Sequence, residues 1–223
     1  MKIGFVVAME KEANLLLKIA DIEKNYSYAG KNIFMGKVFN KEFVLIIAGI
    51  GKVNASLGTQ ILIDKYDIDC IINFGLAGGK ENSNLNAGDI VQVNSSCQYD
   101  FDLSELDDVK IGYMQDYNLI FYPLNICEKL KGQFPPVVCA TADRFTSKQY
   151  FLNIVKTLNA QITDMEVGAI AQTCFANQKP LYALKLISDV DGKTDSIYAQ
   201  YVNNAQSICS KLPTAIALLL KNL

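Results

Sequence analysis

Residues 2–19 have the sequence KIGFVVAMEKEANLLLKI, and the change of pattern inside this stretch decides the fold. Residues 2–8 form an apolar run without polar alternation, which is typical of a strand covered on both faces. The next residues carry apolar side chains at helical spacing, at Ala13, Leu16 and Leu17. The stretch therefore predicts a buried strand followed directly by a helix, the repeating unit of α/β proteins.

The same alternation of apolar runs and helical patterns continues to the end of the chain. Further strands are predicted at residues 70–75, 90–93, 137–142, 160–163 and 181–188, and a hairpin at residues 32–38 and 42–48. Helices are predicted at residues 54–65, 124–131, 148–158, 166–177 and 198–223, with Pro213 bending or restarting the last one. Residues 104–122 show the least periodicity and predict an irregular surface loop. This order predicts an α/β sheet that is partly parallel.

Composition limits the class of protein. The chain has 223 residues, of which 50% are hydrophobic and 20% charged, enough for one well-buried core. Lysine and arginine together number 21 against 23 acidic residues, so the net charge is −2 and a basic nucleic-acid footprint is absent. No apolar stretch approaches the length of a membrane span, and charged residues follow the N-terminal run too soon for a signal peptide. We expect neither a nucleic acid nor a membrane as a partner.

The six cysteines lie far apart in the sequence and form no C-x-x-C pair. Most of them sit in apolar runs, which is typical of reduced thiols in a protein core. We therefore expect a cytoplasmic protein.

Two residue counts narrow the chemistry. The chain has no histidine, which removes the commonest metal ligand and the commonest general base. We expect no metal and no cofactor, and acid–base chemistry by carboxylates. Arg144 is the one arginine in the sequence, so clamps of several arginines on phosphate are excluded.

Ligands of open α/β sheets lie beyond the carboxyl ends of the strands, and four turns of this chain follow apolar runs. They are residues 9–12, 48–54, 74–79 and 188–191. The glycines of the second and third turns would let the backbone approach a ligand, yet neither completes a dinucleotide or phosphate-loop fingerprint. On spacing alone, tight strand-to-helix turns explain both glycine clusters better than a ligand site does.

Three carboxylates stand at these turns or at a helix start. Asp189 ends the most apolar strand, where it is either a helix cap or a catalytic group whose pKa burial would raise. Glu12 and Glu166 open helices, where acidic residues also occur because they complement the helix dipole. Spacing alone leaves these alternatives open.

Six ordered blocks around these residues resemble the bacterial 5'-methylthioadenosine/S-adenosylhomocysteine nucleosidases, of the purine nucleoside phosphorylase and uridine phosphorylase superfamily. The blocks are KIG at 2–4 with AMEKE at 8–12, GIGKV at 49–53, AGG at 77–79, GDIV at 88–91, DME at 164–166 and ISD at 187–189. The resemblance covers the chain end to end. It implies that residues 1–223 form a single domain, a three-layer sandwich with a central mixed, twisted β-sheet flanked by helices.

The resemblance also implies the reaction and its residues. Asp189 would be the general acid at N7 of adenine, and Glu12 would activate the attacking water. Glu166 and Met165 would hold the ribose. The start of a helix would favour the ionised form of Glu12, whereas burial at the end of a strand would favour the protonated form of Asp189.

The resemblance implies the remaining substrate-binding residues as well. Phe145 would stack on adenine with Thr146 beside it, and Ser188 would support Asp189. Met9 and Ile50 would lie along the ribose and the 5'-alkylthio group, and Tyr198 would lie over the sugar. The resemblance implies a homodimer in which the partner subunit's counterparts of Leu103 and Leu106 close the alkylthio pocket. Leu76 and Lys185 depart from the family pattern, in which many relatives have serine and arginine.

The function implied is hydrolysis of 5'-methylthioadenosine and S-adenosylhomocysteine, extending to 5'-deoxyadenosine, in methionine salvage. The substrates would be a small nucleoside and water. Two alternatives stay open at this point: a phosphate-dependent purine nucleoside phosphorylase, and a nucleoside-binding or storage protein without turnover. Relatives that cleave aminodeoxyfutalosine share much of the pattern.

Overall fold

Strands and helices alternate along most of the chain, as the sequence predicts. The structure is a computed structural model that describes residues 1–193 and 195–223. The strands are β1 (Lys2–Val7), β2 (Asp21–Tyr28), β3 (Lys31–Val38), β4 (Lys41–Ile47), β5 (Cys70–Gly79), β6 (Ile90–Gln98), β7 (Tyr122–Pro123), β8 (Pro136–Thr141), β9 (Ile162–Asp164) and β10 (Leu181–Val190). The helices are α1 (Glu10–Leu17), α2 (Lys52–Lys65), α3 (Ser104–Asp107), α4 (Gln149–Thr157), α5 (Val167–Ala176), α6 (Ile197–Ile208) and α7 (Leu212–Asn222).

All the strands belong to one mixed sheet, which confirms the predicted architecture. β1 lies between β4 and β5 and is parallel to both, and β4, β3 and β2 continue as an antiparallel arm. On the other side, β5 pairs with β10, β10 with β6, β6 with β8, β8 with β9, and β9 returns to β5. This part of the sheet therefore closes into a ring, which the sequence pattern does not predict.

Alternate residues of β1 face two different hydrophobic cores. Ile3, Phe5 and Val7 pack in one core with α1 and α7, whereas Val6 belongs to a second core with α2 and α5. Successive side chains of a strand point to opposite faces, so an unbroken apolar run is needed when both faces are covered. The predicted arrangement of helices on both faces of the sheet is confirmed.

Strand β2 is absent from the sequence prediction because its sequence, DIEKNYSY, is mostly polar and contains no apolar run. Its residues are exposed apart from the partly buried Tyr26, and its pairing with β3 is made by the backbone. An edge strand of this kind carries no burial pattern from which it could be recognised.

The helix predicted at residues 124–131 is wrong, since only a short 3-10 helix forms there, at Glu128–Leu130. The buried side chain of Gln92 accepts a hydrogen bond from Cys127 N and donates to the carbonyl oxygens of Cys127 and Phe134. Backbone groups that a helix would use are bound instead to this glutamine. Tertiary contacts therefore override the local helical pattern.

The turn predicted at residues 74–79 is also wrong, because β5 continues through Gly79. Its last residues pair with both β10 and β9: Gly78 lies opposite Asp189 on one side and opposite Thr163 on the other. Residues 104–122 are irregular apart from α3 and a 3-10 helix at Gln115–Tyr117, close to the prediction. Among the helices of the described residues, we find none with both the length and the apolar character needed to cross a bilayer.

Phe5 provides a test of the core beneath β1. Its ring is fully buried and meets the rings of Phe43 and Phe74 edge-on, with centroids 5.9 Å apart in each pair. We expect Phe5→Ala to lower the free energy of unfolding by about 3–5 kcal/mol, as lost burial and a cavity add together. Urea denaturation measures this, with Tyr150→Ala as control because that ring is 67% exposed. Equal losses in the two variants would contradict the assignment of Phe5 to the core.

Candidate active site

A cavity of about 390 Å³ opens at the carboxyl ends of β1, β4, β5 and β10, which run parallel to one another. Glu12, Glu166 and Asp189 all line it. Glu12 comes from the first turn of α1, Glu166 from the connection between β9 and α5, and Asp189 from the end of β10. The structure thus brings together three carboxylates that lie far apart in the sequence.

The carboxylate of Glu12 is held by two backbone N–H groups. Oε2 accepts a hydrogen bond from Met9 N and Oε1 accepts one from Leu76 N, both at 3.1 Å. Its place beside β5 requires glycine at position 75, where a Cβ atom would lie 2.7 Å from Oε1. Burial raises the pKa of Glu12, against the opposing effect of the Lys185 charge and these two hydrogen bonds. Burial is the largest influence on the pKa of Glu12, and the expectation that the helix start favours its ionised form stays a prediction.

Glu166 precedes α5 and is anchored across the cavity to the turn after β4. Its Oε1 accepts a hydrogen bond from Gly51 N at 3.0 Å, and Gly51 has a φ of +97°, a conformation that favours glycine. Burial raises the pKa of Glu166 to about 7; the nearby charge of Asp164 adds to this effect and that of Lys185 opposes it.

A buried ion pair lies next to these carboxylates. Lys185 Nζ is 2.9 Å from Asp164 Oδ2, and the two side chains are 2% and 1% exposed. Asp164 also accepts hydrogen bonds from Thr141 Oγ1 at 2.6 Å and from Val167 N at 2.9 Å, at the start of α5. Burial alone would lower the pKa of Lys185, but Asp164 and Glu166 reverse this and raise it, so Lys185 stays protonated.

Asp189 and Ser188 both line the cavity although they are consecutive residues of a strand. The register of β10 against β5 shifts between Ile187 and Asp189, and a bulge of this kind lets neighbouring side chains share one side. Ser188 Oγ donates a hydrogen bond of 2.6 Å to Asp189 Oδ1. Burial raises the pKa of Asp189, as expected, and the bond from Ser188 opposes the rise.

Aromatic rings form the outer part of the cavity. The Phe145 ring meets those of Tyr198 and Tyr201 edge-on, with centroids 6.4 and 5.8 Å away. Phe145 is 45% exposed and Tyr198 66%, so both lie at the mouth. Thr146 is buried and its hydroxyl is hydrogen-bonded to that of Tyr99.

The structure brings together every residue that the resemblance assigns to the cavity of this chain. Besides the three carboxylates, these cavity residues are Met9, Ile50, Phe145, Thr146, Met165, Ser188 and Tyr198. Leu103 and Leu106 lie outside the cavity, and Leu106 is 77% exposed. Their expected contact with a partner subunit stays a prediction, as does the absence of a cofactor. The described residues contain no group of three or more histidine, cysteine or acidic side chains that could hold a metal ion.

Among the cavity-lining residues that the sequence analysis did not assign to the site, three have ionisable side chains: Arg144, Asp164 and Tyr201. Tyr201 follows Tyr198 by three positions in α6, a spacing that places both on one side of the helix and could have revealed it. Asp164 could have been found from Lys185, because a lysine inside an apolar strand needs a buried counter-charge. Arg144 gives no comparable signal.

The raised pKa of Glu166 predicts how stability depends on pH. Between about pH 4.5 and 7 the folded protein keeps a proton on Glu166 that the unfolded chain loses, so stability falls as pH rises through this range. Glu166→Gln should remove up to about 3 kcal/mol of this fall. Urea unfolding between pH 5 and 8 measures the slope, with the exposed Glu128→Gln as control. Parallel curves for wild type and Glu166→Gln would contradict the assignment.

Comparison with known proteins places this chain in a family. The model of the phosphorylase superfamily matches residues 2–220. The 5'-methylthioadenosine/S-adenosylhomocysteine nucleosidase of Hydrogenovibrio crunogenus is 30% identical, over 95% of this chain and 96% of its own. The protein of the same name from Buchnera aphidicola subsp. Acyrthosiphon pisum is 31% identical, over 100% and 99% of the two chains.

Solved structures agree on the fold. A 5'-methylthioadenosine/S-adenosylhomocysteine nucleosidase from Neisseria meningitidis, in complex with methylthio-immucillin-A, superposes with a TM-score of 0.88 at 23% identity, covering 100% of this chain and 99% of its own. A futalosine hydrolase of Helicobacter pylori superposes with a TM-score of 0.90 at 21% identity, covering 100% and 98%. From the family match and the full-length relatives, the chain belongs to the phosphorylase superfamily and, within it, to the family of the 5'-methylthioadenosine/S-adenosylhomocysteine nucleosidases.

Proposed function

We propose that the protein hydrolyses the N-ribosidic bond of 5'-methylthioadenosine and S-adenosylhomocysteine, releasing adenine and the thioribose sugar, and that 5'-deoxyadenosine is a further substrate. The coarser part of this function, an N-glycosidic hydrolase, follows from membership of the family. One observation carries the proposal: Glu12, Glu166 and Asp189 are buried around a single cavity with an aromatic mouth.

The reaction requires two groups with different tasks. Cleavage of an N-ribosidic bond passes through a state in which the sugar is cationic and the departing base gains negative charge. One group must give the base a proton, and another must direct a water molecule to the anomeric carbon. Two carboxylates in different surroundings can do both.

Asp189 is suited to the first task. Its burial favours the protonated form, which can donate to N7 of the purine. Ser188 binds Oδ1 and leaves Oδ2 for the base. As the base departs, the carboxylate that forms is stabilised by the same hydroxyl.

Glu12 is suited to the second task because its carboxylate is held in place and the positive charge of Lys185 acts on it. Hydrogen bonds from Met9 N and Leu76 N orient both carboxylate oxygens without a flexible partner. The charge of Lys185 opposes the effect of burial and so favours the ionised form. The carboxylate can then accept a proton from the attacking water.

Glu166 and Met165 would hold the ribose. Only Oε1 of Glu166 takes the hydrogen bond from Gly51 N, so Oε2 can accept one from a sugar hydroxyl. Phe145 would stack on adenine with Thr146 beside it, and Tyr198 would lie over the sugar. Met9 and Ile50 would contact the ribose and its 5'-alkylthio group.

The site is better suited to water than to phosphate as the nucleophile. Lys31 and Lys52, the first residues of β3 and α2, are already engaged: Lys31 Nζ is 2.5 Å from Asn54 Oδ1, and Lys52 Nζ is 2.6 Å from Asp100 Oδ1. The single arginine, Arg144, stacks on the Phe151 ring with 3.7 Å between Cζ and the ring centroid. A phosphate dianion would thus find at most one arginine and no clamp of several.

A storage protein that binds a nucleoside without turnover would not need three buried carboxylates, whose burial costs stability. We therefore rank it below the hydrolase. We further propose a homodimer, in which Leu103 and Leu106 reach the partner subunit's cavity, and a role in methionine salvage in the cytoplasm.

Asp189→Asn and Glu12→Gln test the two roles separately. Each should lower kcat for adenine release from 5'-methylthioadenosine by about 10²–10⁴-fold, because each removes a positioned acid or base. A coupled absorbance assay for adenine measures this. Matched controls are Asp116→Asn and Glu10→Gln, which alter exposed carboxylates outside the cavity. Retained adenine release by Asp189→Asn would refute the proposed acid.

Phosphate dependence separates the hydrolase from the phosphorylase. We expect the rate of adenine release to be the same in phosphate-free buffer and with added phosphate, with the free sugar as product. Activity that requires phosphate, or a sugar phosphate in the product mixture, would overturn the hydrolase. Tight nucleoside binding with no adenine at any phosphate concentration would instead indicate the storage protein.

A further inference from the structure

A second buried ion pair lies beside Asp189. Lys80 Nζ, just after β5, is 3.5 Å from Oδ2 of Asp191, just after β10, and the two side chains are 11% and 12% exposed. Glu81 N donates a hydrogen bond to Asp191 Oδ1, and Asp191 N donates one of 3.2 Å to Gly79 O. These contacts fasten the end of the strand that carries Asp189 to the end of its neighbour.

The pair is close to Asp189 but outside the substrate cavity. Asp189 lies opposite Gly78 in the register of β10 and β5, and Lys80 and Asp191 each lie two residues further along their strands. They line a separate, polar cavity of about 340 Å³ that shares no lining residue with the first. Their charges can therefore act on Asp189 without contact with a nucleoside.

Lys80 and Asp191 act on Asp189 with opposite signs. Burial is the largest influence on the pKa of Asp189; after it, the hydrogen bond from Ser188 and the charge of Lys80 lower the pKa and the charge of Asp191 raises it. The other charged groups around the cavity are Glu12 of α1, Asp164 and Glu166 before α5, Lys185 of β10 and Arg144 after β8. From α6, the ionisable groups facing the cavity are the phenols of Tyr198 and Tyr201.

We propose that Lys80 and Asp191 are positioning residues for the reaction: they hold the end of β10 in place, and their opposite charges act on Asp189 from outside the substrate cavity. The proposal rests on the proposed function, in which Asp189 protonates the departing base. A general acid works only while it carries its proton, so activity falls as pH rises through its pKa. The basic limb of the kcat/KM profile reports that pKa in the free enzyme.

Single-charge variants give opposite expectations. Lys80→Met removes a positive charge and leaves Asp191 unpaired, so the basic limb should move to higher pH by about one unit. Asp191→Asn removes a negative charge and leaves Lys80 unpaired, so the limb should move to lower pH by about one unit. The double variant should return close to the wild-type profile. Lys131→Met, which breaks the exposed pair with Glu128, is the control for a charge change outside both cavities and should leave the limb in place.

The experiment measures kcat/KM for adenine release from 5'-methylthioadenosine across pH, with thermal unfolding to verify that each variant is folded. Limbs that move in opposite directions support the proposal, because a merely structural role would reduce the rate of both variants without such a pattern. Limbs that stay in place or move together overturn it. If Lys80→Met does not fold, Asp191→Asn is compared with the double variant. A basic limb that lies at lower pH in Asp191→Asn and returns to the wild-type position in the double variant supports the proposal, and any other result overturns it. Absence of adenine release by the wild type would instead refute the proposed function.

Discussion

The candidate site depends on one buried ammonium group. Lys185 enters from the middle of an apolar strand, is paired with Asp164 at 2.9 Å, and lowers the pKa of Glu12, Asp164 and Glu166 against the effect of burial. Without this charge, several carboxylates gathered in a poorly hydrated space would all take up protons or move apart. A buried ion pair contributes little net stability, so its value here lies in the charge state that it imposes on its neighbours.

The sheet determines where the three carboxylates of the site lie. Parallel strands deliver their carboxyl ends to one edge, and the helix after β1, the glycine turn after β4 and the bulge in β10 then direct side chains into the same cavity. Gly75 is needed because the Glu12 carboxylate approaches it closely, and Gly51 because its φ is positive and the Asp143 carboxylate lies beside it. The three carboxylates consequently differ in their partners: two backbone N–H groups for Glu12, one for Glu166 and a hydroxyl for Asp189. These differences allow one group to act as an acid while another acts as a base.

Much of this could be predicted from the sequence, for physical reasons that also explain the errors. Strands buried on both faces, such as β1 and β10, leave nearly continuous apolar runs, and their ends locate the site. Edge strand β2 leaves no such signal, and the segment before β8 is held by the side chain of Gln92, a tertiary contact that no local pattern encodes. The gathering of Glu12, Glu166 and Asp189 was predicted through the resemblance. Spacing alone left helix-dipole and capping explanations open for all three.

A crystal structure of the wild-type protein with methylthio-immucillin-A, the compound bound in the Neisseria meningitidis nucleosidase, would test the roles of the three carboxylates together. We expect the nitrogen at position 7 of the base to lie about 2.6–3.2 Å from Asp189, and Glu12 to reach a water molecule on the far side of the sugar. Glu166 should bind the sugar hydroxyls. A ligand bound outside this cavity, or one that meets none of the three carboxylates, would contradict these roles.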